Sequence, residues 1–97
     1  MPRQKKAARG KHRWVAIRLD KSTQRDSLKR ILGENLEGLE WRLFDVEKQP
    51  KRTFAILKTT LSDYHETLSK LKEISGLETV TSSGKIRLVR ERLKSYL

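Results

Sequence analysis

Arg87, Arg90 and Lys94 stand three and four residues apart near the end of the chain. On a helix that spacing sets three cations along one stripe, beside a second stripe of Ile86, Val89 and Leu93. A guanidinium clamps a phosphate through two parallel N–H···O bonds, and an ammonium serves the same group as a point charge. Such a helix suits docking by its apolar stripe and presentation of its basic stripe to phosphates. The competing use of the pattern is an amphipathic helix with solvated arginines. Against it, Glu91 is the single acid among the five bases of residues 85–97. The turn Thr81-Ser82-Ser83-Gly84 leads into this helix. Its hydroxyls and the first helical N–H groups either cap the helix or hold a phosphate.

Side chains for a reaction are not gathered in the same way. The two histidines are His12, in a basic stretch, and His65, with Ser69 rather than a ligand at the next helical turn. Neither is expected to hold a metal. Acid pairs such as Glu37 and Glu40 read as solvated surface. No G-x-S-x-G, Walker A or G-x-G-x-x-G pattern occurs. The absence of cysteine excludes disulfides, thiolate metal sites and a cysteine nucleophile. The expectation is a chain with no catalytic residue, no metal and no cofactor.

The charge then decides the partner. The 97 residues carry a net charge of +11. Residues 1–13 contribute +6 and residues 85–97 contribute +4, leaving +1 for everything between. Solubility needs only a modest, interspersed charge, so charge massed at two ends points to a polyanion. The candidate RNA-binding residues are Arg3, Lys5, Lys6, Arg9, Lys11 and Arg13 at the start, and Ser83, Lys85, Arg87, Arg90, Arg92 and Lys94 at the end. A membrane is the weaker reading, because the N-terminal stretch lacks interleaved large apolar residues. Apolar runs of a few residues do not span a bilayer, and no apolar segment follows the N-terminal bases as in a secretory signal. A cytoplasmic protein is expected.

Elements that could position these residues are legible from periodicity. Residues 1–12 have none and read as a flexible basic arm, ahead of a single domain over 13–97. Alternation marks a first strand from Arg13 to Leu19, with Val15, Ile17 and Leu19 on one face and Trp14, Ala16 and Arg18 on the other. A helix from Thr23 to Leu36 follows, opened by the capping box Thr23-x-x-Asp26 and weakened by Gly33. The second strand sets Leu39, Trp41 and Leu43 against Arg42, Phe44 and Val46. The polar loop 47–52 joins it to a third strand, Thr53 to Thr59. Ser62 and Asp63 open a second helix, with Gly76 as its C′ residue and Leu77 as the hydrophobic contact of the cap. A strand from Glu78 to Ser82 and a helix from Lys85 to Leu97 complete the chain. The order β-α-β-β-α-β, with an extra C-terminal basic helix, predicts an α+β, ferredoxin-like split βαβ sandwich. Its two helices would cover one face of the sheet, leaving the other for a ligand, a partner or the extra helix. Trp14, Trp41 and Phe44 are expected to pack rather than to stack on bases.

The run Ser82-Ser83-Gly84-Lys85-Ile86-Arg87, with basic residues to the end, resembles protein component two of archaeal and eukaryotic ribonuclease P. Members of that family close with a Ser-Gly-Thr-Ile-type turn and a short basic helix. Arg13-Trp14-Val15 is similar to the family's opening of strand one, and the resemblance covers roughly residues 12–97. Lys85 stands where the family has Thr and Trp14 where it has Tyr, the departures of a divergent member or a paralogue. The resemblance implies a non-catalytic protein subunit, paired with another protein, that supports an RNA cleaving precursor tRNA at its 5′ end. It makes Arg87, Arg90, Arg92 and Lys94 face that RNA or the partner protein. The alternative is a ribosomal protein, its arm from Pro2 to Lys6 threading between rRNA helices.

Overall fold

The computed structural model of the chain describes residues 12–97. Residues 1–11 of the expected arm, with Arg3, Lys5, Lys6, Arg9 and Lys11, lie outside the described residues, while His12 already belongs to a strand. Strands β1 (His12–Leu19), β2 (Trp41–Lys48), β3 (Thr53–Thr60) and β4 (Leu77–Ser83) alternate with helices α1 (Arg25–Asn35), α2 (Tyr64–Lys72) and α3 (Ile86–Lys94) in the order β-α-β-β-α-β-α. The strands form one sheet in the spatial order β2-β3-β1-β4, every neighbouring pair antiparallel. The fold is α+β. No described helix is long and apolar enough to cross a membrane.

The two central strands are covered on both faces along their middle residues, so alternation between a polar and an apolar side is lost there. Val15, Ala16 and Ile17 in β1, and Phe54 to Leu57 in β3, are all fully buried. One face packs Val15, Ile17, Leu19, Ala55 and Leu57 against Leu28, Leu32 and Leu36 of the α1 segment and Leu71 of α2. The other packs Trp14, Ala16, Phe54 and Ile56 under Val89 and Leu93 of α3. Of the three uses expected for that face, a ligand, a partner or the extra helix, the C-terminal helix takes it. Trp14 is only 8% exposed and meets the Phe44 ring edge-on at 4.7 Å, so it packs rather than offering a stacking surface.

Both edge strands carry a bulge, and both bulges shape the α3 face. In β2, Leu43 pairs with Leu57 and Asp45 with Ile56, leaving Phe44 as the extra residue. In β4, Thr81 pairs with Ala16 and Thr79 with Ile17, leaving Val80 as the extra residue. A bulge turns two successive side chains to one side of the sheet. Simple alternation had set Phe44 and Val46 on one face; instead Phe44 packs in the α3 core and Val46 against the opposite one. Arg25 steadies the β2 bulge from α1, its guanidinium donating to the Phe44 carbonyl at 2.7 Å and the Leu43 carbonyl at 3.0 Å.

Several local signals are used for tertiary contacts instead. Helix α1 begins at Arg25 rather than Thr23, after Gln24 as N-cap, and no side chain caps it. Thr23, the expected cap, is buried and donates its N–H to Thr53 Oγ1 at 2.7 Å, while that hydroxyl donates to the Lys21 carbonyl at 3.0 Å. Asp63 does sit at the N-cap of α2, but its carboxylate accepts the Glu40 N–H at 3.0 Å and makes no cap bond. Helix α2 ends at Lys72, so Gly76 is not its C′ residue. It serves the next turn, with φ of +80°, and its carbonyl accepts the Asp20 N–H at 2.9 Å.

Two stability tests arise here. Thr53→Val leaves the buried Thr23 N–H without a partner and is expected to cost about 1–3 kcal/mol in denaturant unfolding, with Thr53→Ser retaining most of the stability. A Val variant as stable as the parent would show that the hydroxyl does not pin the α1 entry. Gly33 lies inside α1, where a Cβ would meet Trp41 Cζ2 at 3.9 Å, an ordinary contact. Gly33→Ala is expected to stabilise by about 0.5–1 kcal/mol, read as a raised melting temperature. A fall would mean that this contact is tighter than it looks.

Candidate nucleic-acid interface

Helix α3 runs across the second face of the sheet and is strapped down on both flanks. Its inward stripe is the expected one: Val89 and Leu93 are buried, with Ile86 packed beside them. Each edge bulge provides one apolar residue beneath the helix, Phe44 or Val80, and one polar partner beside it. On the β2 side, Arg90 Nε and Nη2 donate to the two Asp45 carboxylate oxygens at 2.7 and 3.1 Å. On the β4 side, Arg92 Nη1 donates to Thr81 Oγ1 at 3.1 Å and the Ser82 carbonyl at 3.2 Å. The hydrogen bond to Asp45, and then that carboxylate's charge, raise the pKa of Arg90 above its already high ordinary value. That guanidinium keeps its charge at every physiological pH.

The sequence-derived candidates fall into three groups. Arg90 and Lys94 lie on the flank facing β2, where they line one groove with Phe44, and Arg87 precedes Arg90 by three residues in the same helix. Arg92 lies on the flank facing β4, with Ser83 and Lys85 at the foot of the helix. Ser83 Oγ accepts the Lys85 N–H at 3.2 Å, and Lys85 rather than Ser83 is the N-cap residue. Arg13 leaves β1 on the opposite side from Trp14, yet its guanidinium reaches the turn that enters α3, where Nη1 stands 3.7 Å from the position a Cβ on Gly84 would take. Its guanidinium carbon lies 5.7 Å from the centroid of the Tyr64 ring on α2, whose hydroxyl bonds Ser82 Oγ at 2.6 Å. Thr81 and Ser82 are thus engaged within the fold.

The helix is shorter than expected, ending at Lys94. Beyond it Tyr96 rests 6.4 Å from the buried Phe54 ring but stays half exposed, as does Leu97. Between α3 and β2 lies a groove of about 460 Å³, with Phe44, Ile56 and Leu93 among its apolar lining and Arg90 and Lys94 on its helical wall. Lys85, Arg87 and Lys94 have no ion pair among the described residues. No group of His, Asp or Glu side chains is gathered in a metal-binding arrangement among the described residues.

Two cations missing from the sequence-derived set also lie on this face. Arg42 in β2 is the Cα partner of Lys58 in β3, and Lys58 is the partner of Trp14 in β1. Lys58 Nζ sits 5.6 Å from the centroid of the Trp14 ring. In sequence both look like ordinary polar positions in alternating strands, and only the strand register places them side by side. Comparison with protein families, curated proteins and solved structures finds no match to this chain.

Proposed function

We propose that this chain is a non-catalytic, cytoplasmic RNA-binding subunit of a ribonucleoprotein, on a ferredoxin-like split βαβ frame with an added C-terminal helix. The spatial order β2-β3-β1-β4, with two helices on one face, supports that frame. One observation carries the functional reading. Helix α3 is held by a buried stripe and two side-chain straps, while Lys85, Arg87 and Lys94 on its surface lack ion pairs among the described residues. A fixed array of cations holds phosphates with little ordering cost, and the chain's +11 charge supplies long-range attraction to RNA.

Among ribonucleoproteins, ribonuclease P is the particle this reading favours, through the Ser83-Gly84-Lys85-Ile86 turn and the basic helix it introduces. In that setting the catalytic work of tRNA 5′ maturation belongs to RNA. This chain, with a second protein subunit, holds that RNA in shape. The test is to recover the tagged protein from its native cells at moderate salt and sequence the attached RNA. Ribonuclease P RNA, with precursor-tRNA cleavage in the same fraction, is the expected result. Enrichment of rRNA with co-sedimentation on ribosomal subunits would assign the chain to the ribosome. Recovery of no RNA would refute the reading altogether.

A further inference from the structure

We infer that Arg42 and Lys58 form a second phosphate seat, so that an RNA backbone passes from helix α3 across the β2 edge of the sheet; this rests on the RNA-binding reading above. The two residues are direct cross-strand neighbours in the row Arg42–Lys58–Trp14–Ser83. All four side chains lie on the α3 side, in phase with Phe44, Ile56, Ala16 and Thr81. Like charges directly opposite one another destabilise an antiparallel pair. No ion pair to either residue relieves that repulsion among the described residues. The other end of the same face is handled differently. There Arg18 is the Cα partner of Glu78, and its Nη2 meets that carboxylate at 2.6 Å, with Asp20 at 3.6 Å. One end of the face is neutralised within the fold; at the other, Lys58 rests over the Trp14 ring, which leaves its charge unmatched by an acid, and Arg42 adds a second cation beside it.

The seat has room and continuity. Arg42 and Lys58 line a cleft of about 250 Å³ with Glu40, Trp41, Thr59 and Thr60. Glu40 shares the cleft without an ion pair to either cation. Phe44, two residues beyond Arg42 in β2, lines the groove that holds Arg90 and Lys94, and its ring centroid lies 4.7 Å from that of Trp14, the cross-strand neighbour of Lys58. Asp45 and Glu47 also line that groove; Asp45 is matched by Arg90. On this reading the cations follow one another from Lys94 and Arg90 on α3, past Phe44, to Arg42 and Lys58. Because Trp14 is buried edge-on against Phe44, the track takes the sugar–phosphate backbone and leaves the bases unread.

The test measures binding of a fluorescein-labelled RNA duplex to the full chain over a range of salt concentrations. The variants are Arg42→Gln with Lys58→Gln, and Arg42→Lys with Lys58→Arg. The double glutamine variant is expected to flatten the log affinity against log salt slope by roughly 1.5, the share of two phosphates, without lowering the melting temperature. The charge-conserving variant is expected to keep the parental slope. A parental slope in the glutamine variant overturns the second seat while leaving RNA binding intact. Loss of slope together with a collapsed melting temperature, if shared by the charge-conserving variant, assigns the pair a structural role and overturns the seat too. Absence of RNA binding by the unaltered chain overturns both readings.

Discussion

Val89→Ala combined with Leu93→Ala is expected to lower the unfolding free energy by about 3–6 kcal/mol, a large part of what a domain of this size has. Both side chains are buried between α3 and the sheet, against Phe54, Ile56 and Trp14. Removing them forfeits apolar burial and opens a cavity that a single helix cannot close without shifting. The two sites share one core, so their effects will not add simply. Urea denaturation gives the midpoint and its slope. Leu88→Ala is the control: Leu88 is an exposed position of the same helix, and its loss should stay within about 0.5 kcal/mol. A double variant as stable as the control would mean that α3 does not rest on the sheet. The same double variant should also bind RNA less tightly, although no charge has been removed. Undocking takes Arg90 from Asp45 and Arg92 from Thr81, and a mobile helix must be ordered again on binding.

Deleting residues 1–11 is expected to cause the largest loss of RNA affinity of any change considered. It removes Arg3, Lys5, Lys6, Arg9 and Lys11 and no acid. If each cation neutralises one phosphate, the slope of log affinity against log salt falls by roughly 4. The melting temperature should hold, because Met1, Pro2, Ala7 and Ala8 are the only apolar side chains that residues 1–11 could offer to a core. Calorimetry and a salt titration together decide the matter. An unchanged slope would remove the N-terminal bases from the RNA footprint, and a sharp fall in melting temperature would give that segment a packing role instead.

The elements were legible because their periods were strong. Val15, Ile17 and Leu19 alternate, and the Leu28, Ile31 and Leu32 positions repeat as a helix should. The C-terminal basic helix was legible for the same reason, and its apolar stripe is the one that docks. What escaped sequence reasoning depends on register. Nothing local marks Phe44 or Val80 as an extra residue, yet those bulges bring Asp45 and Thr81 beside the helix arginines. The caps failed through competition. Thr23 and Asp63 are good capping residue types, but the Thr23 hydroxyl turns back to the Lys21 carbonyl while its N–H is held by Thr53, and the Asp63 carboxylate takes the Glu40 N–H. Arg42 and Lys58 are unremarkable one at a time, and they become a candidate site only when β2 and β3 pair.

The charge of the chain and the docking of α3 meet in one claim, that RNA lies along this helix and the neighbouring β2 edge. Ultraviolet cross-linking in the native cells tests it most directly, followed by mass spectrometry of peptides carrying an RNA remnant. The expected adducts fall on peptides from residues 85–97, from the N-terminal bases and from the strands bearing Arg42 and Lys58. Adducts confined to the outer surfaces of α1 and α2, or none on a chain recovered in good yield, would contradict it.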